Sequence, residues 1–309
     1  MPAGLSAVIP TYNSGTLLDR CLDALAAAGV DDVLVLDGGS GDGAPDRATR
    51  RPEVRVLRFP GTRVSARFNL GMREARNEYV LVLDDDVFVD PDAPRRLAAV
   101  LDERARTGMV QAHLRFADGK EQRSGSHYRT LLNETLMSLG LRRLLRRVEP
   151  GGGPLSAKER GVEPATWVPL CAALLRRSAF EEIGGFDERF FFYYDDQDFC
   201  RRLVEAGWGI AVRWDAGAVH LGGAATAAKD PTGWFGRYQE NRFVYLRKHY
   251  PRAWRLFAVV WAARASLHVV VWRLRALARR ARSDAEGARL ARKWSRVFRR
   301  TALPPRAAP

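Results

Sequence analysis

Residues 79–87 read YVLVLDDDV, five apolar residues followed by three adjacent aspartates and a valine. A short apolar run without polar alternation is typical of a strand buried on both faces of a sheet. We therefore expect a buried strand over Tyr79–Leu83 that ends at Asp84, Asp85 and Asp86. Three adjacent carboxylates at such a place repel one another and lose hydration, so the arrangement is costly unless a cation neutralises it.

The chemistry of the three carboxylates points to a hard divalent ion. Mg²⁺ and Mn²⁺ bind one or two carboxylates together with phosphate oxygens of a substrate. In an extended segment Asp84 and Asp86 point to one side and Asp85 to the other. The sequence thus favours a metal site at Asp84 and Asp86. The alternative is a loop-start cluster that caps the helix predicted for residues 91–106.

The sequence before this stretch alternates between strand and helix patterns. Strands are predicted at 5–9, 33–36 and 54–59, and helices at 17–25 and 65–76. Continuous apolar strands separated by helices indicate an α/β fold with a parallel sheet covered on both faces. Ligands of such sheets bind at the carboxyl ends of the strands. The polar residues that follow the first two strands are Pro10-Thr11-Tyr12-Asn13 and Asp37 with its glycine-rich turn.

A second acidic cluster, DDQD at residues 195–198, follows GGFDE at 184–188 and an aromatic run at 190–194. A carboxylate at a helix start is often only a cap, and Asp195 or Asp198 suits that role. A carboxylate against aromatic walls and near other acids has a raised proton affinity, as a general base requires. The residue types alone leave cap and base open.

Four motifs together resemble those of family 2 glycosyltransferases of the GT-A fold, especially the bacterial rhamnosyltransferase and galactofuranosyltransferase type. They are AVIPTYN at 7–13, VLDGGSGDG at 35–43, LDDDV at 83–87, and GFDE at 185–188 through Asp195-Asp196. The resemblance covers about residues 5–250. It implies a Rossmann-like, mostly parallel central sheet with helices on both faces, followed by a C-terminal helical extension.

The resemblance also implies an activity. That activity is the inverting, Mg²⁺- or Mn²⁺-dependent transfer of a sugar from a UDP- or dTDP-linked donor to an acceptor hydroxyl. The acceptor would be a glycan, a glycolipid or a small molecule, and the product a cell-envelope glycan or glycolipid.

Carried over residue by residue, the resemblance assigns roles to the motif residues. The residues that would bind the nucleotide sugar are Pro10, Thr11, Tyr12, Asn13, Asp37, Asp84 and Asp85. Asp84 and Asp86 would meet the ribose, the diphosphate and the metal. His220 matches a histidine that completes the metal site in related enzymes, whereas a lone histidine after an apolar strand is more often structural.

The acceptor-side pair of the family falls on Asp195 and Asp196, and its second member, the usual base, falls on Asp196. This pair is Asp-Asp where the family usually has Glu-Asp, which leaves open which acid is the base. The strand predicted at 167–172 also lacks the glycine commonly found there. A bulkier Leu170 or Cys171 would narrow the acceptor or sugar pocket.

The composition, with 46% apolar and 28% charged residues, excludes a disordered or collagen-like chain. Its net charge of +14 is concentrated at the C-terminus, because residues 251–309 contain fourteen arginines and one lysine against Asp284 and Glu286. We expect a catalytic domain at 1–250, divided into a nucleotide-sugar-binding half (1–117) and an acceptor-binding half (118–250). A basic amphipathic helical tail would follow at 251–309, and Gly151–Pro154 would form a flexible loop.

The tail begins with about seventeen mostly apolar residues, Leu256–Trp272, fewer than the roughly twenty that cross a bilayer. Trp254, Trp261 and Trp272 fall on one helical face. Tryptophans with a dense cationic flank are typical of a helix lying in a membrane interface, so we expect the tail to bind an anionic membrane surface. The alternative is a helix packed on the protein, with the arginines as a solvated face.

Three widely spaced cysteines, Cys21, Cys171 and Cys200, indicate a reducing compartment. No signal-peptide pattern is recognisable at the start, so we expect a cytoplasmic protein, peripheral on the inner face of the cell membrane. Two rival classes are a sugar nucleotidyltransferase and a nucleic-acid binder. The first would carry a glycine-rich basic loop at residues 10–13, and the second would interleave stacking aromatics with the arginines. We expect no nucleic-acid partner.

Overall fold

The computed structural model describes residues 4–61, 63–126, 128–139, 141, 161–190, 193–222, 233–281 and 284–303. The loop predicted at Gly151–Pro154 lies outside these residues. The chain forms two compact units. The first comprises Met1–Tyr128, Gly151–Phe191 and Asp195–Gly222, and the second comprises Arg129–Pro150, Phe192–Tyr194 and Gly223–Pro309. The functional division at residues 117 and 250 stays a prediction.

The first unit is built around a nine-stranded sheet. Its strands are β1 (Leu5–Thr11), β2 (Asp32–Asp37), β3 (Val54–Arg58), β4 (Tyr79–Leu83), β5 (Val87–Val89), β6 (Thr107–Arg115), β7 (Val162–Ala165), β8 (Ala172–Arg176) and β9 (Gly209–His220). Its helices are α1 (Thr16–Ala27), α2 (Ala44–Ala48), α3 (Val64–Glu74), α4 (Ala93–Glu103), α6 (Arg177–Glu182) and α7 (Asp195–Glu205). The α/β class predicted from the alternating patterns is confirmed.

The strand order is β3-β2-β1-β4-β8-β6-β9-β5, with β7 paired to β9 off this path. The first four strands in this order are parallel, as their alternation with helices predicts. Beyond β4 the sheet is mixed, because β8 runs antiparallel to both β4 and β6, and β5 and β7 run antiparallel to β9. The carboxyl ends of β1, β2 and β4 lie at one edge, where Thr11, Asp37 and Asp84 are found.

The central strands are apolar throughout because both faces of the sheet are covered. In β4, Leu81 and Leu83 belong to the core beneath α1 and α4, whereas Val80 and Val82 belong to the core beneath α3 and α7. Helix α3 lies so close to the sheet that a Cβ at Gly71 would be 2.5 Å from a methyl carbon of Val8. Glycine is therefore required where this helix crosses β1.

Two boundaries differ from the sequence prediction. The helix predicted at 91–106 is confined to α4, which begins at Ala93 and ends at Glu103. The strand predicted at 167–172 begins only at Ala172; Trp167 instead forms an isolated bridge with Ser126. The residues between them form a turn, which brings Cys171 to the end of β4.

Strand β9 pairs with β6 in two registers. His113 pairs with Gly217, although its neighbour Ala112 pairs with Arg213, so three residues of β9 bulge out. Beyond the bulge, β9 pairs with β5, and His220 lies opposite Val87. The backbone N–H of Leu221 then donates to the carbonyl oxygen of Asp86 at 3.2 Å.

The second unit contains α5 (Leu131–Ser138), α8 (Gly233–His249), α9 (Trp254–Ala281) and α10 (Ala285–Thr301). A buried ion pair joins α5 to α8, with Arg242 Nε 2.5 Å from Glu134 Oε2. Helices α9 and α10 pack antiparallel. Trp261 Nε1 donates to the carbonyl oxygen of Thr301 at 2.6 Å, near one end of the pair, and Arg279 lies 3.7 Å from Asp284 at the other end.

Helix α9 carries an exposed apolar stripe, formed by Leu256, Val259, Leu267, Val270, Leu274 and Leu277, which are 52–70% exposed. Successive members of this stripe are three, four or eight residues apart, spacings that keep their side chains on one side of the helix. The 28-residue helix is also long and apolar enough to cross a membrane, with a mean hydropathy of 1.3 over its most apolar 18-residue window. Only 17% of that window is buried within the protein.

Candidate active site

The three adjacent aspartates divide as predicted, with Asp85 apart from Asp84 and Asp86. They do so in a turn between β4 and β5, closed by the Val87 N–H donating to the Asp84 carbonyl oxygen at 3.2 Å, and not in an extended strand. Asp85 turns toward β1, where its Oδ2 accepts a hydrogen bond from Thr11 Oγ1 at 2.7 Å. The backbone N–H of Tyr12 and the Ser14 side chain also hydrogen-bond to Asp85. Asp84 and Asp86 face the other way, toward Cys171 and His220.

The structure brings the two acidic clusters together. Burial raises the pKa of Asp84 well above its usual value, and the charges of Asp86, Asp85, Asp195 and Asp196 raise it further, in that order. Burial also raises the pKa of Asp85, against the opposing effect of its hydrogen bond from Thr11. Five carboxylates thus concentrate negative charge at the carboxyl edge of β4.

His220 reaches this edge through the pairing of β5 with β9. Its Nε2 lies 3.5 Å from Asp86 Oδ1. Gln122 holds the other side of the ring: its Nε2 donates to the carbonyl oxygen of His220 at 2.6 Å, and its Oε1 lies 2.9 Å from Nδ1. Because the amide nitrogen is engaged with the backbone, Oε1 accepts the proton of Nδ1, which leaves the Nε2 lone pair directed toward Asp86. Burial lowers the pKa of His220, which favours this neutral form.

These residues suit a divalent cation. One ligand atom each of Asp84, Cys171 and His220 lies within 4.8 Å of the others. The two carboxylates of Asp84 and Asp86 are ligands that Mn²⁺ and Mg²⁺ prefer, and the imidazole nitrogen adds a third donor. Burial and the charges of Asp84 and Asp86 raise the pKa of the Cys171 thiol, so Cys171 borders the site as a protonated thiol. The concentrated negative charge is what a cation would neutralise.

The predicted nucleotide-binding residues lie at the ends of β1 and β2. Asp37 Oδ1 accepts hydrogen bonds from the Gly39 and Ser40 backbones and from Ser40 Oγ, which fixes the glycine-rich turn. Asn13 joins this turn to β1 by accepting from the Gly41 N–H at 2.8 Å and donating its own N–H to Ser40 Oγ at 3.0 Å.

Two other residues near the end of β1, Pro10 within the strand and Tyr12 just after it, contribute in different ways. Pro10 is paired with Leu36 within the sheet. The Tyr12 side chain is 62% exposed. A flat ring at this edge is free to stack on another flat group.

Arg67 is a member of this region that the sequence analysis missed. It lies on α3, is 6% exposed, and donates from Nη1 to the carbonyl oxygens of Thr11 and Leu36, both at 3.0 Å. Burial lowers the pKa of Arg67, while the charges of Asp37 and Asp85 oppose that shift. The positively charged guanidinium group of Arg67 therefore lies against the ends of β1 and β2. The signal in the sequence that could have identified Arg67 was a charged residue among the buried positions of α3.

Asp195 and Asp196 begin α7. Trp167 Nε1 donates to Asp196 Oδ2 at 3.0 Å, and the Gln197 N–H donates to Asp196 Oδ1 at 2.7 Å. Asp198 is fully buried and paired with Arg202 Nε at 2.8 Å, so it stabilises the helix. Of the acids in this cluster, Asp195 and Asp196 are the two whose charges raise the pKa of Asp84.

The GFDE motif is held in place by α3. Asn69 donates from Nδ2 to the carbonyl oxygen of Phe186 at 2.9 Å and accepts the Phe186 N–H at Oδ1 at 2.8 Å. Asn69 Nδ2 also contacts Glu188 Oε1 at 2.9 Å. Gly185 has φ +74°, and a Cβ there would be 2.8 Å from Asn69 Oδ1. The motif is therefore anchored to α3.

Residues 6–184 match the family model "Glycosyl transferase family 2". The chain is also similar to the N-acetylglucosaminyl-diphospho-decaprenol L-rhamnosyltransferase of Mycobacterium tuberculosis, with 30% identity over 290 residues. That match covers 85% of this chain and 90% of the relative.

Two solved structures share the fold. A mannosyltransferase of Pyrobaculum calidifontis in complex with GDP-Man and Mn²⁺ has a TM-score of 0.56 at 16% identity, covering 97% of this chain and 85% of that one. GalNAc-T7 with UDP, GalNAc and Mn²⁺ has a TM-score of 0.54 at 13% identity, covering 71% of this chain and 44% of that one. The sheet and its flanking helices are therefore those of known glycosyltransferases.

Proposed function

Because this chain belongs to glycosyl transferase family 2 and is a glycosyltransferase, we propose that it transfers a sugar from a nucleotide-diphosphate donor to a lipid-linked cell-envelope acceptor, with inversion. The observation that carries the proposal is the meeting of the two acidic clusters at the carboxyl edge of β4. One cluster suits a metal and a diphosphate, and the other suits a base.

The donor would be UDP- or dTDP-linked and would lie across the ends of β1, β2 and β4. In this proposal Pro10, Thr11, Tyr12, Asn13 and Asp37 surround the nucleoside, as the glycine-rich turn and the exposed Tyr12 ring suggest. Asp84 and Asp85 complete the donor site. Arg67 supports it by holding the ends of two strands together.

Asp84, Asp86 and His220 would hold Mn²⁺ or Mg²⁺ in this proposal. The chemistry that such a cation supplies is neutralisation of the charge that develops on the leaving diphosphate. Gln122 orients His220 so that its Nε2 lone pair faces Asp86.

Asp196 is the proposed general base. Its Oδ1 and Oδ2 are held by the Gln197 N–H and the Trp167 indole, which fix the carboxylate without neutralising it. It would remove the proton of the acceptor hydroxyl as the oxygen attacks the anomeric carbon opposite the diphosphate. A single displacement of this kind inverts the anomeric configuration. Asp195, one residue earlier, is the competing candidate.

A lipid-linked acceptor and a peripheral membrane location are supported by the helical pair in the second unit. The apolar stripe of α9 is exposed, and the mycobacterial relative is named as a rhamnosyltransferase of an N-acetylglucosaminyl-diphospho-decaprenol. A spanning α9 would draw α10 into the hydrocarbon, at about 2.5–3.5 kcal/mol for each arginine near its centre. We therefore propose that the pair lies on an anionic membrane surface at the cytoplasmic face.

A panel of nucleotide sugars with Mn²⁺, tested for nucleotide release and for transfer to a membrane-extracted lipid acceptor, tests the function. Asp196→Asn is expected to lose transfer by more than about 100-fold while donor affinity changes little. Asp195→Asn is the matched control and should retain more activity. Substantial turnover by Asp196→Asn would reassign the base, and the absence of turnover with every donor would contradict the proposal.

A further inference from the structure

A groove with arginines on both walls runs along the junction of α9 and α10. It has a volume of about 670 Å³ and is lined by Arg273, Ala276, Leu277, Arg280, Arg289, Arg292, Ser295, Arg296 and Arg299. Arg289, Arg292, Arg296 and Arg299 recur every three or four residues and so form a row along α10. Arg273 and Arg280 lie opposite, two turns apart on α9. The groove therefore surrounds any occupant with six guanidinium groups.

Among the residues that the structure describes, the six guanidinium groups of the groove form no ion pair. In the described part of the chain, none of them has a carboxylate within 4 Å. Elsewhere in the same helical pair Arg279 does pair, with Asp284. Unpaired arginines that face one groove repel one another, and an anion placed among them relieves that repulsion.

Ser295 gives a second, independent indication of a ligand. It lines the floor of the groove and is 3% exposed, yet its hydroxyl has no hydrogen-bond partner in the described structure. Buried hydroxyl groups are normally paired. A hydroxyl without a partner beneath six guanidinium groups is suited to donate to an anionic oxygen.

The groove adjoins the apolar stripe of α9. Leu277 belongs to both, lining the groove while 65% of its surface is exposed. At about 100° per residue, Arg273 and Arg280 lie between the stripe and the seam with α10. A ligand that matches both features has a multiply charged anionic head and a long apolar chain.

We propose that this groove binds the diphosphate head of a polyprenyl-linked acceptor, with the isoprenoid chain lying along the apolar stripe. The identity of the lipid rests on the proposed function. Planar guanidinium groups bind phosphate oxygens in bidentate fashion, and six of them match two adjacent phosphates better than the single charge of a common phospholipid. A polynucleotide would leave the apolar stripe uncovered. Its bases would also lack aromatic side chains to stack on, since Trp272 and Trp294 are stacked on each other.

Flotation of the full-length protein with vesicles tests the site. One set is phosphatidylcholine containing undecaprenyl diphosphate, and the other is phosphatidylcholine with phosphatidylglycerol at equal surface charge. The wild type is expected to bind the diphosphate vesicles at least about tenfold more tightly. Equal binding to both sets would overturn the proposal in favour of a general anionic surface.

Substitutions test whether the preference for diphosphate vesicles comes from the groove. Arg280→Gln with Arg292→Gln should lose the preference for diphosphate, whereas Arg275→Gln with Lys293→Gln, which removes equal charge from the same helices, should keep it. Ser295→Ala removes only the unpaired hydroxyl and is expected to weaken diphosphate binding about three- to tenfold. Equal losses in the two double variants, or wild-type binding by Ser295→Ala, would overturn the site.

The binding measurement is independent of catalysis because the lipid carries no sugar. Nucleotide release from the donor by the wild type without lipid tests the proposed function separately. A chain that releases nucleotide but shows no diphosphate preference refutes the groove alone. A chain with the preference but no nucleotide release refutes the transferase proposal and not the groove.

Discussion

Replacing Gln122 by methionine tests whether His220 is a metal ligand. The substitution keeps the length of the side chain and removes the contact to Nδ1 at 2.9 Å together with the donation to the His220 carbonyl at 2.6 Å. Without an acceptor at Nδ1, the proton is free to move to Nε2 and the ring is free to rotate. Either change removes the nitrogen lone pair that faces Asp86.

The expected magnitude follows from the loss of that one orienting contact. Removing a hydrogen-bond partner behind a metal-binding histidine typically costs about 10–100-fold in metal affinity, or about 1.4–2.7 kcal/mol. Gln122→Glu keeps an acceptor for Nδ1, although it adds a negative charge and replaces the donation to the His220 carbonyl oxygen by repulsion. We therefore expect Gln122→Glu to lose less Mn²⁺ affinity than Gln122→Met.

The assay is the Mn²⁺ dependence of nucleotide release from the donor after chelator treatment. Saturating Mn²⁺ should restore turnover by Gln122→Met to within about threefold of the wild type, because affinity and not chemistry is altered. Gln111→Met is the matched control, since Gln111 is a fully buried glutamine whose amide atoms have no hydrogen-bond partner in the described structure. An unchanged Mn²⁺ affinity in Gln122→Met would refute the role of His220.

Three further predictions concern the base, the acidic clusters and the sheet. Trp167→Phe removes the indole donor of Asp196, so the turnover of sugar transfer should fall about tenfold with little change in donor KM; a normal turnover would show that this contact positions nothing. The pKa of Asp84 is raised on folding, so the stability of the ion-free chain falls as pH rises from 3.8 toward the folded pKa. Asp84→Asn should raise the melting temperature at pH 8 by about 2–4 °C and abolish the stabilisation that Mn²⁺ gives the wild type. An unchanged melting curve would contradict the repulsion between Asp84 and its neighbouring carboxylates. Gly71→Ala should destabilise the chain by about 1–3 kcal/mol in urea unfolding, whereas Gly236→Ala, at a helical site with open space, should be neutral or stabilising; equal effects would exclude the steric argument.

The sequence predicted the first half of the fold well because each element there is encoded locally. The apolar runs of β1, β2 and β4 are buried on both faces, and their ends carry the polar residues. The division of Asp85 from Asp84 and Asp86 was also predicted and agrees with the hydrogen bond from Thr11 to Asp85, although a turn and not an extended strand produces it.

The other half of the site depends on pairings between distant parts of the chain. Cys171 lies beside Asp84 because β8, which begins at Ala172, runs antiparallel to β4. The sequence instead predicted a strand at 167–172. Gln122 and Arg67 act through contacts to residues 98 and 56 positions away, so a local pattern could mark Arg67 as unusual but could not identify the partner of either residue. The roles proposed for the site residues remain predictions.

The first helix of the tail is longer than the apolar segment that residue types mark in the sequence. The sequence suggested about seventeen residues, but α9 runs from Trp254 to Ala281, since arginines are good helix formers and continue the helix beyond the apolar stretch. Its packing against α10 depends on residues such as Trp261 and Thr301, whose distance in sequence hides their contact.

The pairing of β5 with β9 has a consequence for how this protein can change during evolution. Backbone hydrogen bonds, and not the side chains at 87–89, set the separation of Asp86 and His220. The buried side chains of Val87 and Val89 can therefore be exchanged for other apolar side chains of similar volume without moving Asp86 or His220. A deletion of one residue between the bulge and His220 would instead turn the histidine to the opposite face of the sheet. Among descendants of this sequence, substitutions in this ribbon should accumulate while its length stays constant.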